Sequence, residues 1–361
     1  MSNEVDPLAD QVATGRGEGI GELKDVAGLS QNQLVGRRFI RHAGAVFGIV
    51  VIVGIAVLSF SSMGIFGLPG WWQYQDHNAT YGGVVNGGQP TLSWSGLGDH
   101  PFGQDMIGRD NFAMVMRGIQ TSMLVMTVLG LLTLAIGTIV GAIAGYYRGP
   151  LDTLLMRGTD LVITLPVIVL GAVLGKLVSE IPDRLGMTAA ARATFRENIP
   201  LMLAVFLGLI LWPSLARLVR SEFLTLRERE FVDAARVAGA SDWRIITKHM
   251  LPNSISVIIV NTTLTMSSAV VLEAALSFLG FGVTEPNVSL GKLISDYQTA
   301  FLTRPWLFWW PGLFIILLAL SINFIGDGLR DAFDPRTKRI PSKRTMDAAL
   351  AAEERKAGTH E

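Results

Sequence analysis

Cysteine is missing from all 361 residues, charged side chains make up only 17%, and the five histidines are scattered. Each scarcity closes a class of function. Without cysteine there is no disulfide framework, thiolate metal site, cysteine nucleophile or lipid anchor on a cysteine. His42, His77, His100, His249 and His360 form no H-x-x-x-H or H-E-x-x-H pair, so no metal site is expected. The sequence has neither a G-x-x-x-x-G-K-[ST] phosphate loop nor a nucleophile elbow, which leaves nucleotide hydrolysis and acyl transfer without machinery in this chain. The 30 basic and 30 acidic residues cancel to zero net charge, which speaks against nucleic acid as a partner.

Hydrophobic residues, at 50%, dominate what is present. At this charge density a random 20-residue window escapes charge with a probability of about 2%, and 20 residues is roughly one bilayer span. Six charge-free runs nevertheless occur: His42 to Trp72, Gly118 to Tyr147, Leu161 to Gly175, Asn198 to Ala216, Met250 to Leu272 and Pro305 to Gly326. They predict an all-α, polytopic membrane protein with six transmembrane helices over 42–63, 118–145, 154–178, 198–217, 250–272 and 305–326. The third begins ahead of its run and keeps Arg157 and Asp160 at headgroup level or inside protein.

The pieces between the spans set the orientation. With the N-terminus in the cytoplasm, 22 of the 30 Lys and Arg residues fall on the cytoplasmic side, as the positive-inside rule requires. This makes 1–41 a cytoplasmic polar tail, too long and too acidic for the n-region of a cleaved signal peptide. The loops 64–117, 179–197 and 273–304 are then extracytoplasmic, and 218–249 and 327–361 are cytoplasmic. One stretch strains the assignment, since Lys176, Arg184, Arg192 and Arg196 fall outside.

Gly137, Gly141 and Gly145 lie on one helix face and allow close approach by another helix. They suit either a seam between two copies or packing within the chain, and six helices to assemble favour packing. Pro166 and Pro213 are expected to bend or interrupt their helices. The loop 64–117 holds Trp71, Trp72, Tyr74, Tyr81 and Trp94, which read as an interfacial belt or as a binding surface. Its end, from His100 to Asp110, is too specific a sequence for filler. Glu273, directly after the fifth run, and Asn261 within it are candidates for a translocation path, although Glu273 also fits a place at the outer interface or as a helix cap. Asn323 reads as a packing hydrogen bond.

The segment from Arg217 to His249 mixes seven basic with five acidic residues, unlike a lipid-directed basic patch. Phe231, Ala234, Ala235 and Ala238 recur at helical spacing, Gly239 supplies a stop, and Ser241 is placed to cap a second helix. A short helix with a small-residue face and charged flanks suits a groove on another protein better than a lipid surface.

The run Asp233-Ala234-Ala235, Gly239 and His249-Met250-Leu251-Pro252 resembles the EAA motif of ABC-importer permeases. Glu230-Phe231-Val232 and Leu251-Pro252-Asn253 resemble in particular the C-type permease subunit of dipeptide and oligopeptide importers. The His100 to Asp110 segment agrees, as do Gly145-Tyr146-Tyr147-Arg148-Gly149 with Asp152, Glu273 to Gly280, Gly326 to Asp331 and Asp334-Pro335-Arg336. Together these matches span roughly 35–340.

The resemblance implies an ABC-importer type I (MetI-like) permease fold in the inner, cytoplasmic membrane. It also implies a homologous B-type permease as sister subunit, two cytoplasmic ABC ATPase domains, an extracytoplasmic peptide-binding protein and surrounding lipid. ATP and Mg would be bound by the ATPase partners, with no cofactor on this chain. Glu230, Asp233, Ala234, Ala235, Arg236, Gly239, His249, Leu251 and Pro252 would form the ATPase-coupling segment. Some residues depart from the pattern. Asp233 stands for the usual Glu, His249 for an apolar residue of the general motif, and Met114 and Gln120 for frequent arginines. Residues 179–198 are longer than expected. Nickel-chelate or murein-peptide cargo fits the same architecture, whereas a secondary transporter would require membrane-embedded charges that are nearly absent here, and a non-transporting scaffold fits the motifs poorly.

Overall fold

The computed structural model describes residues 31–65, 67–93 and 96–333. Trp94, Asp334-Pro335-Arg336 and most of both predicted tails lie outside the described residues. The chain divides into two units, Phe39–Arg330 and a second made of Met1–Arg38 with Asp331–Glu361, whose described residues are helical.

The described residues form helices α1 (Gln31–Arg41), α2 (Ala43–Met63), α3 (Asn111–Tyr147), α4 (Gly149–Thr164), α5 (Val167–Arg184), α6 (Ala189–Glu197), α7 (Ile199–Leu226) and α8 (Glu230–Val237). Helix α9 (Asp242–Phe278) follows, with a π-helical turn over Ile245–Met250 near its start, and then come α10 (Leu290–Tyr297) and α11 (Trp306–Phe333). Among the described residues, α2, α3, α7, α9 and α11 are each long and apolar enough to cross a membrane, and a sixth crossing results if α4 and α5 count as one broken span.

Local chemistry explains the boundaries. The His42 Nδ1 accepts the Ala45 N–H at the start of α2, and the Asp110 carboxylate accepts the Ala113 N–H at the start of α3. No proline interrupts α3, whose 37 residues extend about 55 Å, well beyond the hydrocarbon thickness. Pro166, which has no N–H and holds Leu165 in an extended conformation, separates α4 from α5 at a bend of 76°. Pro213 behaves differently, for α7 runs through it without interruption. Residues 179–197, expected as a loop, instead complete α5 and form α6, capped by the Thr188 hydroxyl.

Helices α3 and α7 make the closest packing. A Cβ at Gly137 would stand 2.9 Å from Leu215 Cβ, one at Gly141 2.4 Å from the Ala216 carbonyl oxygen, and one at Gly145 2.6 Å from Phe223 Cβ. From the opposite side Gly208 of α7 faces Leu132. The glycine stripe of α3 is thus occupied by a helix of the same chain. Helix α2 joins α3 through buried polar groups: Gln120 Nε2 donates to the carbonyls of Ser59 and Gly64, and Ser59 Oγ to that of Met116. The unexpected Gln120 is therefore a clasp between two spans. Ser267 Oγ donates to the Ala319 carbonyl, tying α9 to α11. Asn323 is half-buried on α11.

Adding a methyl group should separate the close glycines from the loose ones. Gly141→Ala is expected to destabilise the purified protein by about 1–3 kcal/mol through overpacking. Gly158→Ala, where a Cβ meets nothing within 4 Å, should be neutral or stabilising by up to about 1 kcal/mol. Thermal unfolding in detergent compares the two.

Candidate functional site

Two polar constructions occupy the opposite ends of α3. At its C-terminal end sits the segment from Arg227 to Pro252. Helix α8 closes with the Ala240 N–H on the Ala235 carbonyl and the Gly239 N–H on that of Arg236, with Gly239 at φ 80°, a conformation that favours glycine. Val232 is the buried anchor of α8 and packs in one cluster with Tyr146, Val219, Phe223, Ile245 and Met250. Tyr146 is the hub. Its hydroxyl donates to Asp242 Oδ1 at 2.6 Å, its carbonyl accepts from Arg227 Nη1, and the guanidinium groups of Arg227 and Arg236 each lie 5.8 Å from its ring centroid. Arg148, at φ 57°, reaches Glu228 at 2.7 Å and holds that exposed carboxyl below its ordinary pKa. Arg220 grips Asp152 of α4 through two bonds of 2.5 and 2.6 Å.

The residues singled out from the EAA-like run occupy two sides of this segment. Glu230, Asp233, Ala234, Arg236, Gly239 and Pro252 are exposed, while Ala235, His249 and Leu251 are half-buried. Arg236 turns inward, over Tyr146 and 3.2 Å from Asp233. The exposed surface of the segment is more apolar than the alanine spacing suggests, because Val237 on α8 with Phe231, Ala234 and Ala238 is 90% exposed and Trp243 at the start of α9 is 73% exposed. Ser241 precedes α9 in extended conformation, and its carbonyl, not its hydroxyl, takes the Ile245 N–H. Val232 and Tyr146 stand in the sequence only inside runs that carry the family resemblance, without a role in this site, and Val237, Asp242 and Trp243 have no role in the sequence reading. The aromatic pair at the end of the second run was the available signal for Tyr146.

At the N-terminal end of α3 the His100 to Asp110 segment ties the long loop together. Asp110 caps α3, accepts Trp72 Nε1–H at 2.9 Å and lies 2.8 Å from His100 Nδ1. Burial pushes the Asp110 carboxyl above its ordinary pKa, against the opposing pull of His100, the Ala113 N–H and Trp72. His100 stacks on Tyr74 with ring centroids 4.7 Å apart. Gln104 receives the Val85 N–H and donates to the carbonyls of Gly83 and Gly108. Asp105 accepts from Arg109 Nε at 2.7 Å and from the Tyr297 hydroxyl at 3.1 Å, joining the loop to α10. Arg304 donates to the carbonyls of Gln104 and Asp105. Trp72 is thus a core residue of this scaffold, whereas Trp71 is exposed.

Glu273 is 1% exposed and sits between helices: Ser122 Oγ of α3 donates to it at 3.0 Å and Ser277 Oγ at 2.7 Å. Asn261, midway along α9, is half-buried, and its Oδ1 has no hydrogen-bond partner. Among the described residues no three His, Cys, Asp or Glu side chains form a metal-binding group.

Residues 137–339, from the second half of α3 onward, match the family described as binding-protein-dependent transport system inner membrane component. The chain belongs to this family. It is a multi-pass membrane protein and a transport permease component. A protein of Brucella ovis named as a peptide permease is 37% identical over 305 residues, covering 83% of this chain and 90% of its own. The oligopeptide transport system permease protein of Mycobacterium tuberculosis is 34% identical over 311 residues, covering 86% and 97%. A solved structure of the MetNI methionine ABC transporter in an inward-facing conformation aligns with 61% of this chain and 97% of its own, at 20% identity and a TM-score of 0.46.

Asp110→Ala should release Trp72, His100 and the start of α3 together, costing about 2 kcal/mol or more from the lost cap and the donors left buried. Limited proteolysis should then cut within residues 64–110 several times faster than in the unaltered protein.

Proposed function

We propose that this chain is the C-type permease subunit of an ATP-driven importer of dipeptides and oligopeptides, forming half of the translocation path. The peptide permeases that it resembles over most of its length support the cargo class. The single observation that carries the coupling role is the set of exposed apolar side chains, Phe231, Ala234, Val237 and Ala238 on α8 and Trp243 at the start of α9, held on a segment clamped to the ends of α3 and α7. Large apolar side chains on a rigid projection suit a groove on a partner.

In this reading both termini and the α8 segment are cytoplasmic, and the long loop faces outward toward a peptide-binding protein. A homologous B-type permease completes the path, and two ABC ATPase domains bind ATP and Mg and receive α8. The chain itself is not an enzyme and holds no cofactor. ATPase closure would displace α8 as a body, and Val232, Tyr146 and Asp242 would pass that displacement to α3 and α9. Exposed Glu230 and Asp233 would set the register of the contact, with Ala234, Ala235 and Gly239 permitting close seating. His249, Leu251 and Pro252 would lead the segment into its span. Asn261 is proposed as a residue of the path because its unmatched oxygen suits a polar neighbour, whereas Glu273, gripped by serines, suits a positioning role between α3 and α9.

Reconstitution with the sister permease, ATPases and binding protein tests the reading. Val237→Glu with Trp243→Glu is expected to leave the thermal unfolding of the isolated subunit unchanged and to lower peptide-stimulated ATP hydrolysis and uptake by about tenfold or more. Hydrolysis and uptake at the unaltered level would refute the assignment of this surface.

A further inference from the structure

Residues from the stretch 179–198, longer than the expected pattern, build one wall of a sizeable cavity. The cavity has a volume of about 760 Å³ and is lined by Asn78, Arg109, Met187, Arg192, Arg196 and Glu285, among others. It lies at the long-loop end of the bundle, and its walls are fastened to one another. Asn78 Nδ2 donates to the Pro286 carbonyl at 3.0 Å, and Asn287 Nδ2 donates to the Arg196 carbonyl at 2.6 Å, so the loop 284–287 bridges the long loop and α6.

The lining carries three guanidinium groups against one carboxylate. Arg109 is held by Asp105 and Tyr297. Arg192 pairs with Asp183 at 3.0 Å through Nη1, while its Nε is buried without a hydrogen-bond partner. Arg196 and Glu285 form no ion pair among the described residues. A recess of this size suits a small ligand, and guanidinium donors suit a carboxylate.

We propose that this cavity is an outer subsite for short zwitterionic peptides, in which Arg192 and Arg196 receive the terminal carboxylate and Glu285 the terminal ammonium group. The inference rests on the peptide-importer reading and adds to it a recognition step made by the permease itself. Arg109 and Arg192 are already balanced by Asp105 and Asp183, so the carboxylate end is drawn by Arg196 and the unmatched Nε of Arg192, and Glu285 orients the other end.

The complete importer in liposomes, with binding protein saturated by each peptide in turn, provides the test. A tripeptide as the free acid and the same tripeptide as its C-terminal amide are compared by initial uptake rate. The unaltered importer is expected to favour the free acid, and Arg192→Gln with Arg196→Gln should reduce that preference by about tenfold, the worth of a lost charge-assisted hydrogen bond. Arg192→Lys with Arg196→Lys should retain most of it, which separates charge from folding. Glu285→Gln should reduce the preference for a free over an acetylated N-terminus. Equal rates for acid and amide in the unaltered importer, or a preference that survives the Gln substitutions, overturns the subsite. Equal loss for both peptides also overturns it, and assigns the arginines to contact with the docked binding protein. If the unaltered importer moves no peptide while its ATPases hydrolyse ATP, the importer reading itself fails.

Discussion

Lipid gives two apolar helices no reason to approach each other, because the tails are as hydrophobic as the side chains. The contact between α3 and α7 therefore depends on how near their backbones can come, and Gly137, Gly141 and Gly145 set that distance against Leu215, Ala216 and Phe223. Much of the rest follows from it. With α3 fixed against α7, Arg220 is in reach of Asp152, Tyr146 meets Arg227, and Val232 finds a closed apolar site under the ends of both helices.

The two ends of α3 are held by different physics. At Asp110 the fastening is a lattice of directed hydrogen bonds from His100, Trp72, Gln104 and Asp105, which fixes the loop in one arrangement. At Tyr146 an apolar anchor and cations over a ring join a few directed bonds, from the Tyr146 hydroxyl to Asp242 and from Arg227 to the Tyr146 carbonyl, so that α8 is held as a body on the ends of α3 and α7. A loop frame tied at one end of α3 and a helix carried as a body at the other suit the proposed division of labour, in which displacement of α8 reaches α3 and α9.

Five of the charge-free runs fall on helices long and apolar enough to cross a membrane and the sixth on the broken pair α4 and α5, and the Pro166 break was legible because a proline removes a donor wherever it stands. The Asp233 to Gly239 helix and its stop were legible for the same local reason, a spacing of small residues ended by glycine. Pro213 was not, since α7 carries enough packed surface around it to keep its course. The long loop was opaque in a different way. Trp72 reads as a belt or binding residue and His100 only as the start of a specific segment, but the place of both is decided by Asp110, 38 residues from one and 10 from the other. Long-range pairs such as Tyr146 with Asp242 leave no periodic trace. The outward Val237 and Trp243 of the α8 segment fall outside the spacing of its small residues, so that spacing carries no sign of them.

The π-helical turn at Ile245–Met250 has a geometric effect on everything above it. It takes up about one extra residue, and one residue is about 100° of rotation around a helix. The stripe of α9 that points to Trp243 is consequently out of phase with the stripe that continues up the span. The outward indole and the inward Met250 can thus belong to one unbroken helix, as two sectors offset like teeth on a keyed shaft.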